Sequence, residues 1–308
     1  MKKSIFRIAW LLKCAFIQWY NRDPFRESAI IAYNAIFSLP GLLVVVVTLS
    51  GYVFGSDAVS GKLHHQIAGA MGNETADQIQ DIVLMASKSK DSLWATVIGI
   101  AIILIGATGV FVQLQKSLDT IWEVKATPAK SGIKAFLKSR LFSFGLIISI
   151  AFLLLISLVL SSLLSAIDNW VLEHWSENLL IFFKILNSVF SLAIIAVLFA
   201  MMFKILPDAK IKWRSVWIGA LVTALLFVLG KSALGLYFGK ASPGSGYGAA
   251  GSIILILLWT SYSSMIVFFG AEFTKVYSDY YYGQALPSEN AVKEKPERAK
   301  ATRKKKSN

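Results

Sequence analysis

Nucleophiles and metal ligands are scarce in this sequence. It holds one cysteine, Cys14, which excludes an intrachain disulfide framework and a multi-cysteine metal site. Its three histidines, His64, His65 and His174, lack the HxHxDH-like grouping that a two-metal nuclease needs to activate water and hold the leaving oxygen. No GxxxxGK[ST] phosphate loop is present, so this chain is not expected to drive movement by hydrolysing nucleotide itself. Charge is sparse as well, at 16% of residues, which is too little for a soluble domain of this hydrophobicity. No enzymatic activity, metal or cofactor is expected on these grounds.

Apolar length is what the sequence has in abundance. Hydrophobic residues make up 56% of the chain and gather into six runs, at about 29–54, 93–114, 141–164, 179–203, 215–238 and 249–273. At about 1.5 Å per residue, each run can cross a hydrocarbon layer roughly 30 Å thick as a helix. The expected fold class is all-α: a polytopic membrane protein with six transmembrane helices occupying 29–277. Ahead of it, residues 1–28 place Ile5, Ala9, Leu12, Phe16 and Trp19 at helical spacing, while Arg7 and Lys13 interrupt the apolar core that a signal peptide would need. An amphipathic N-terminal helix on the cytoplasmic membrane surface is the expectation. Residues 278–308 are polar, basic and interrupted by proline, and are expected to form a disordered cytoplasmic tail held near anionic inner-leaflet lipid.

Six crossings put both termini on one side of the bilayer. The segments on that side carry 25 lysines and arginines against 4 on the other, and such a bias marks the terminal side as cytoplasmic. The net charge of +13 therefore reports topology, and no nucleic-acid partner is expected.

Several residues inside the runs ask for a functional reading. Lys231 lies within the fifth run with no acid in that run to pair with, so it needs water, freed carbonyls or an anionic ligand. A polar cavity toward the outer half of the bilayer is expected around Lys231, with Tyr33, Asn34, Trp259 or Tyr262 nearby. Glu272 lies one residue before the end of the sixth run, where the helix dipole disfavours an acid, so a cationic partner is expected from Lys116, Lys204, Lys212, Arg214 or Lys275. Pro40 removes a helical hydrogen bond from the first run and is expected to kink it. Gly109, Gly246, Gly248, Gly251 and Gly270 are expected to serve as hinges or close helix contacts.

Four stretches carry a resemblance: AYNAIFSLPGLLVVV (32–46), GATGVFVQLQKSLDTIWEVK (106–125), LPDAKIKWRSVWIGALVTALLF (206–227) and YGAAGSIILILLWTSYSSMIVFFGAEFT (247–274). In this order they resemble the YihY/BrkB family of bacterial inner-membrane proteins, over residues 15–282. Asn34 and Asp119 depart from the pattern, where an aromatic or small residue and an asparagine are expected. The resemblance implies six helices and cytoplasmic termini in a bacterial inner membrane. Members have been labelled virulence or serum-resistance factors, ribonuclease BN and candidate lipid translocators. The ribonuclease label conflicts with the missing ligand cluster. Translocation or binding of a lipid or amphiphilic anion through a polar cavity between helices is the expectation, with a substrate-free structural or regulatory membrane component as the alternative.

Overall fold

The computed structural model describes residues 2–37, 109–127, 177–241, 251–289 and 291–294, together with isolated positions between 61 and 81. In chain order these form α1 (Lys2–Asn21), α2 (24–37), α3 (109–122), β1 (Val124–Ala126), α4 (Glu177–Ile205), β2 (Ala209–Lys210), α5 (Trp213–Ala241), α6 (Gly251–Tyr282), β3 (Leu286–Pro287) and β4 (Ala291–Lys293). Within α4, α5 and α6, the stretches Ser188–Ile205, Trp213–Phe238 and Ile253–Tyr282 are long and apolar enough to cross a membrane. These correspond to the fourth, fifth and sixth expected runs. Of the first and second runs, 29–37 and 109–114 are helical; the remainder of both, and the whole third run, lie outside the described residues.

The helix ends follow from local chemistry. Pro24 occupies the first position of α2, where its missing N–H has no helical partner to lose and its fixed φ suits a helix start. The preceding Asp23 turns the chain there with a left-handed φ of 56°. At the far end, Gly283 adopts φ 76° and its N–H donates to Asp279 O at 3.2 Å, closing α6 as a glycine in the left-handed conformation commonly does. Helix α6 thus runs nine residues past the expected end at 273, and Glu272 lies well inside it.

Helix α5 packs against both α4 and α6. The α5–α6 seam depends on paired glycine and threonine. Gly219 of α5 faces Thr274 of α6, and Gly270 of α6 faces Thr223 of α5; a Cβ on either glycine would overlap the opposing threonine Oγ1. Each threonine hydroxyl donates back to its own helix at 2.7 Å, Thr223 to Gly219 O and Thr274 to Gly270 O. Its polar group is therefore satisfied before the helices meet, and the facing glycine leaves room for the backbones to close. The same chain direction places Gly230 against Tyr262 and Ile266, so the two helices run antiparallel. Phe199, Phe203 and Val216 join Leu118, Ile121 and Trp122 of α3 in the main apolar cluster.

Helix α1 lies along the other side of α6. Trp10 contacts Tyr280 at 5.8 Å between centroids, Leu11 and Ala15 pack with Phe273 and Val276, and Trp19 meets Phe269 edge-on at 6.1 Å. The order of these contacts makes α1 antiparallel to α6. Leu11 and Ala15 are buried against α6 while Phe6, Phe16 and Tyr20 are exposed, so α1 carries apolar side chains on more than one face.

The tail requires a correction. Residues 278–282 complete α6, and β3 and β4 each pair antiparallel with a loop strand. Lys125 aligns with Val292, and Lys210 with Leu286. Backbone ladders and the buried Ala291 supply what the polar composition hides, so disorder is not the state of 278–289 or 291–294, and the fold includes two small ladders beside its helices.

Gly219→Ala and Gly270→Ala are each expected to destabilise the protein by about 1–3 kcal/mol through overpacking. Gly61→Ala, where an added Cβ meets nothing within 4 Å, should leave the thermal midpoint unchanged. Thermal unfolding of the detergent-purified variants is the check.

Candidate functional site

A cavity of about 360 Å³ lies where the end of α1, the start of α2, α3 and α6 meet. Its charged lining consists of Arg22, Asp23, Arg26, Glu27 and Glu272, with Trp19, Ile121 and Phe268 as apolar wall. The local sequence explains the meeting point. The Asp23–Pro24 corner ends α1 and redirects the chain, turning Arg22 inward while Arg26 and Glu27 follow on the first turn of α2. Trp19 anchors the corner by donating its indole N–H to Met265 O of α6 at 3.1 Å.

Glu272 is the most buried charge here, at 1% exposure. Arg22 Nε lies 2.5 Å from its Oε1, and neither carboxylate oxygen receives a well-directed hydrogen bond. The contact is therefore primarily one of charge. The rest of the Arg22 guanidinium is committed to α3: Nη1 donates to Thr120 O at 2.7 Å, and Nη2 to Ile121 O and Glu123 Oε1, each at 3.4 Å. Arg22 thus adds a side-chain donor to carbonyls at the C-terminal end of α3, where Thr120 O also accepts the Glu123 N–H at 3.2 Å. Glu123, in turn, receives Lys275 Nζ of α6 at 2.6 Å. Burial alone would raise the Glu123 carboxyl, but Lys275 and Arg22 outweigh it and hold it below the usual glutamate range. Glu123 also adopts a left-handed φ of 56°, a costly conformation for a residue with a side chain, and the ladder bond from Glu294 N to its carbonyl at 2.8 Å helps to hold it.

A second polar group closes the α2–α3 side. Glu27 Oε2 accepts from Gln113 Nε2 at 2.9 Å and from Ser117 Oγ at 2.8 Å, and its Oε1 faces Arg26 Nη2 at 3.2 Å. Below, Asp119 Oδ1 accepts the backbone N–H of Asp208 at 2.7 Å, and Asp208 O accepts Ser288 N at 2.9 Å. This chain of bonds joins α3, the α4–α5 turn and the C-terminal segment. Burial pushes the Asp119 carboxyl up to about 7, partly offset by the Asp208 N–H.

Of the residues picked out by sequence, Asn34 meets Gly109, and Tyr262 meets Gly230, the chain neighbour of Lys231. Tyr33 is exposed and meets Phe37 edge-on at 5.3 Å. Asn34 Nδ2 donates to Ile30 O at 2.9 Å, and its side chain covers Gly109 so closely that a Cβ there would lie 2.7 Å from Oδ1. Trp259 stands edge-on to Phe227 at 6.3 Å, and Tyr262 faces Gly230. Lys231 is exposed on α5, and Gly251 is buried at the start of α6. Pro40, Gly246 and Gly248 lie outside the described residues.

Glu272 does have a cationic partner, but it is Arg22. Arg22 falls outside the expected candidates because residues 1–28 read as a surface segment, whereas α1 runs along α6 and delivers its last turn to the level of Glu272. Lys275 reaches Glu123 instead. Sequence reasoning passed over Arg22, Glu27, Gln113 and Ser117, whereas Glu123, an acid at the end of a basic turn, pairs with Lys and Arg as such acids are expected to. A signal was present for part of this group: Gln113, Ser117 and Thr120 recur at steps of four and three on one face of α3.

Asp119 carries a pH prediction. Its folded pKa of about 7 stands above the ordinary aspartate value of 3.8, so between these values the folded state binds more protons and stability falls as pH rises. Asp119→Asn, which keeps the acceptor for Asp208 N–H, should flatten that decline and raise the thermal midpoint at pH 8 more than at pH 4. Thermal unfolding of both proteins across this pH range is the check.

Comparison with known proteins fits this architecture. The family model described as virulence factor BrkB matches residues 16–295. Among curated relatives, a UPF0761 membrane protein of Saccharophagus degradans is 24% identical over 91% of this chain, and the chain covers 62% of that protein, under two thirds of its length. Relatives under the same name from Pseudoalteromonas atlantica and Cronobacter sakazakii are 26% and 27% identical, covering 93% and 89% of this chain and 94% and 90% of their own. No solved structure matches. With nearly its whole length matched and three helices able to cross a membrane, the chain belongs to the BrkB family of membrane proteins.

Proposed function

We propose that this membrane protein binds a lipid or amphiphilic anion and moves it between the leaflets of the bacterial inner membrane, with both termini in the cytoplasm. The observation that carries the reading is the cavity between α1, α2, α3 and α6. Its volume of about 360 Å³ falls in the range of small-molecule sites, and it combines charged side chains with the apolar walls of Trp19 and Phe268. An amphiphile needs both. Arg26, 68% exposed at the rim, would meet the polar headgroup, and the apolar wall would take the first methylenes. Lys231, with Tyr33, Asn34, Trp259 and Tyr262, would mark the path toward the opposite leaflet. The basic residues from Lys293 onward would hold the C-terminal end near anionic lipid.

The test is reconstitution of the purified protein into liposomes carrying a fluorescent lipid in one leaflet. Protein-dependent exchange of that lipid, reduced several-fold by Trp19→Ala with Arg26→Gln, is the expected result. Exchange no faster than in protein-free liposomes contradicts translocation.

A further inference from the structure

We propose that the first turns of α1 and α5 and the last turns of α6 form a docking surface for the phosphodiester of an anionic phospholipid, held by Arg7, Lys212 and Arg214 around packed tyrosines. The proposal requires only that the chain resides in a membrane, and it stands apart from translocation through the cavity.

Three helices bring a half-exposed aromatic ring to one level. Trp213 lies six residues before Gly219, and Tyr280 six residues after Thr274; because Gly219 and Thr274 face each other across an antiparallel seam, the two rings share a height. Trp10 joins them from α1, 5.8 Å from Tyr280 between ring centroids. Tryptophan and tyrosine gather where hydrocarbon gives way to headgroups, since each ring has an apolar body and one polar atom. The apolar stretches Trp213–Phe238 and Ile253–Tyr282 begin and end at this level, so the plane through the three rings is a headgroup plane.

The exposed charges at that plane are of one sign. Arg7, Lys212 and Arg214 are all exposed, and none has a carboxylate partner among the described residues. Tyrosine ties them together: Arg7 lies against the Tyr281 hydroxyl, Lys212 Nζ stands 4.6 Å from the centre of the Tyr282 ring, and the charge of Arg214 acts on Tyr277. Tyr277 and Tyr281 pack at 4.6 Å between centroids, which joins these contacts into one patch. Helix α1 carries no acid, the first turn of α5 has none, and Asp279, the single acid from Phe273 to Tyr282, acts on Lys275 and Lys293 instead. A phosphodiester supplies the missing counter-charge. Guanidinium forks pair with its oxygens, and tyrosine hydroxyls donate to them. A zwitterionic headgroup brings its own cation to a surface that already has three, so it is held less well.

The experiment measures retention of phosphatidylglycerol and phosphatidylcholine, with matched acyl chains, by the purified full-length protein in detergent, using native mass spectrometry. Wild-type protein is expected to prefer phosphatidylglycerol by about tenfold or more, the scale of a few basic residues beside one anionic headgroup. Arg7→Gln, Lys212→Gln and Arg214→Gln combined should bring the two lipids to near-equal retention. Lys304→Gln, Lys305→Gln and Lys306→Gln combined, in the basic C-terminal stretch, should leave the preference unchanged. If the first triple variant fails to fold, Arg7→Gln alone decides in its place and should lower the preference several-fold. Equal retention of both lipids by the wild type overturns the inference. A preference that survives removal of the Arg7, Lys212 and Arg214 charges, or one that disappears with the C-terminal substitutions, overturns it as well.

Discussion

A buried carboxylate beside a guanidinium sets the arrangement of the cavity end of this molecule. Glu272 is enclosed on α6, and Arg22 is the cation in contact with it. Removing a charge from water costs several kcal/mol, so such an acid persists only with a cation at hand. Arg22 is available because α1 lies antiparallel along α6 and breaks at Asp23–Pro24. From Arg22 the constraint spreads to the carbonyls of Thr120 and Ile121 at the end of α3, and through Glu123 to Lys275, back on α6. The loop of charges closes on itself. Its geometry leaves the cavity between the elements it connects.

Close approach of α5 and α6 supplies the rigid side of the same region. The Gly219–Thr274 and Thr223–Gly270 contacts bring two long helices together without an unsatisfied hydroxyl. Thr274 and Gly270 flank Glu272 on the sequence of α6. One short stretch thus carries both the seam to α5 and the acid that faces α1, α3 and the cavity. The C-terminal ladders add a second tie, fastening the end of α3 and the α4–α5 turn to the segment after α6.

The long helices were legible because apolar runs of membrane length have few other uses: Leu179–Phe203, Ser215–Phe238 and Ala249–Phe273 became α4, α5 and α6. Their ends were less so. Composition drops at Phe273, yet α6 continues to Tyr282 because Tyr280 packs with Trp10 and the stop signal is Gly283. The β3 and β4 segments read as disordered because a two- or three-residue strand owes its order to a partner ladder, which composition does not display. At the site, Glu272 was legible as an acid in need of a cation. Its partner was not, since pairing across 250 positions depends on α1 lying along α6, a tertiary fact. The i, i+4, i+7 face of Gln113, Ser117 and Thr120 was visible in the sequence and points to the occupied side of α3. Lys231 drew attention by its isolation, but the cavity described here lies by Glu272.

The claim that the Arg22–Glu272 pair holds the α1–α2 corner against α6 is tested most directly by a double-mutant cycle on thermal or denaturant unfolding in detergent. Arg22→Met and Glu272→Met should each cost about 3–5 kcal/mol by stranding the other charge. The double variant should recover most of that loss, since neither charge is then left without its partner. Losses that simply add in the double variant would contradict the account.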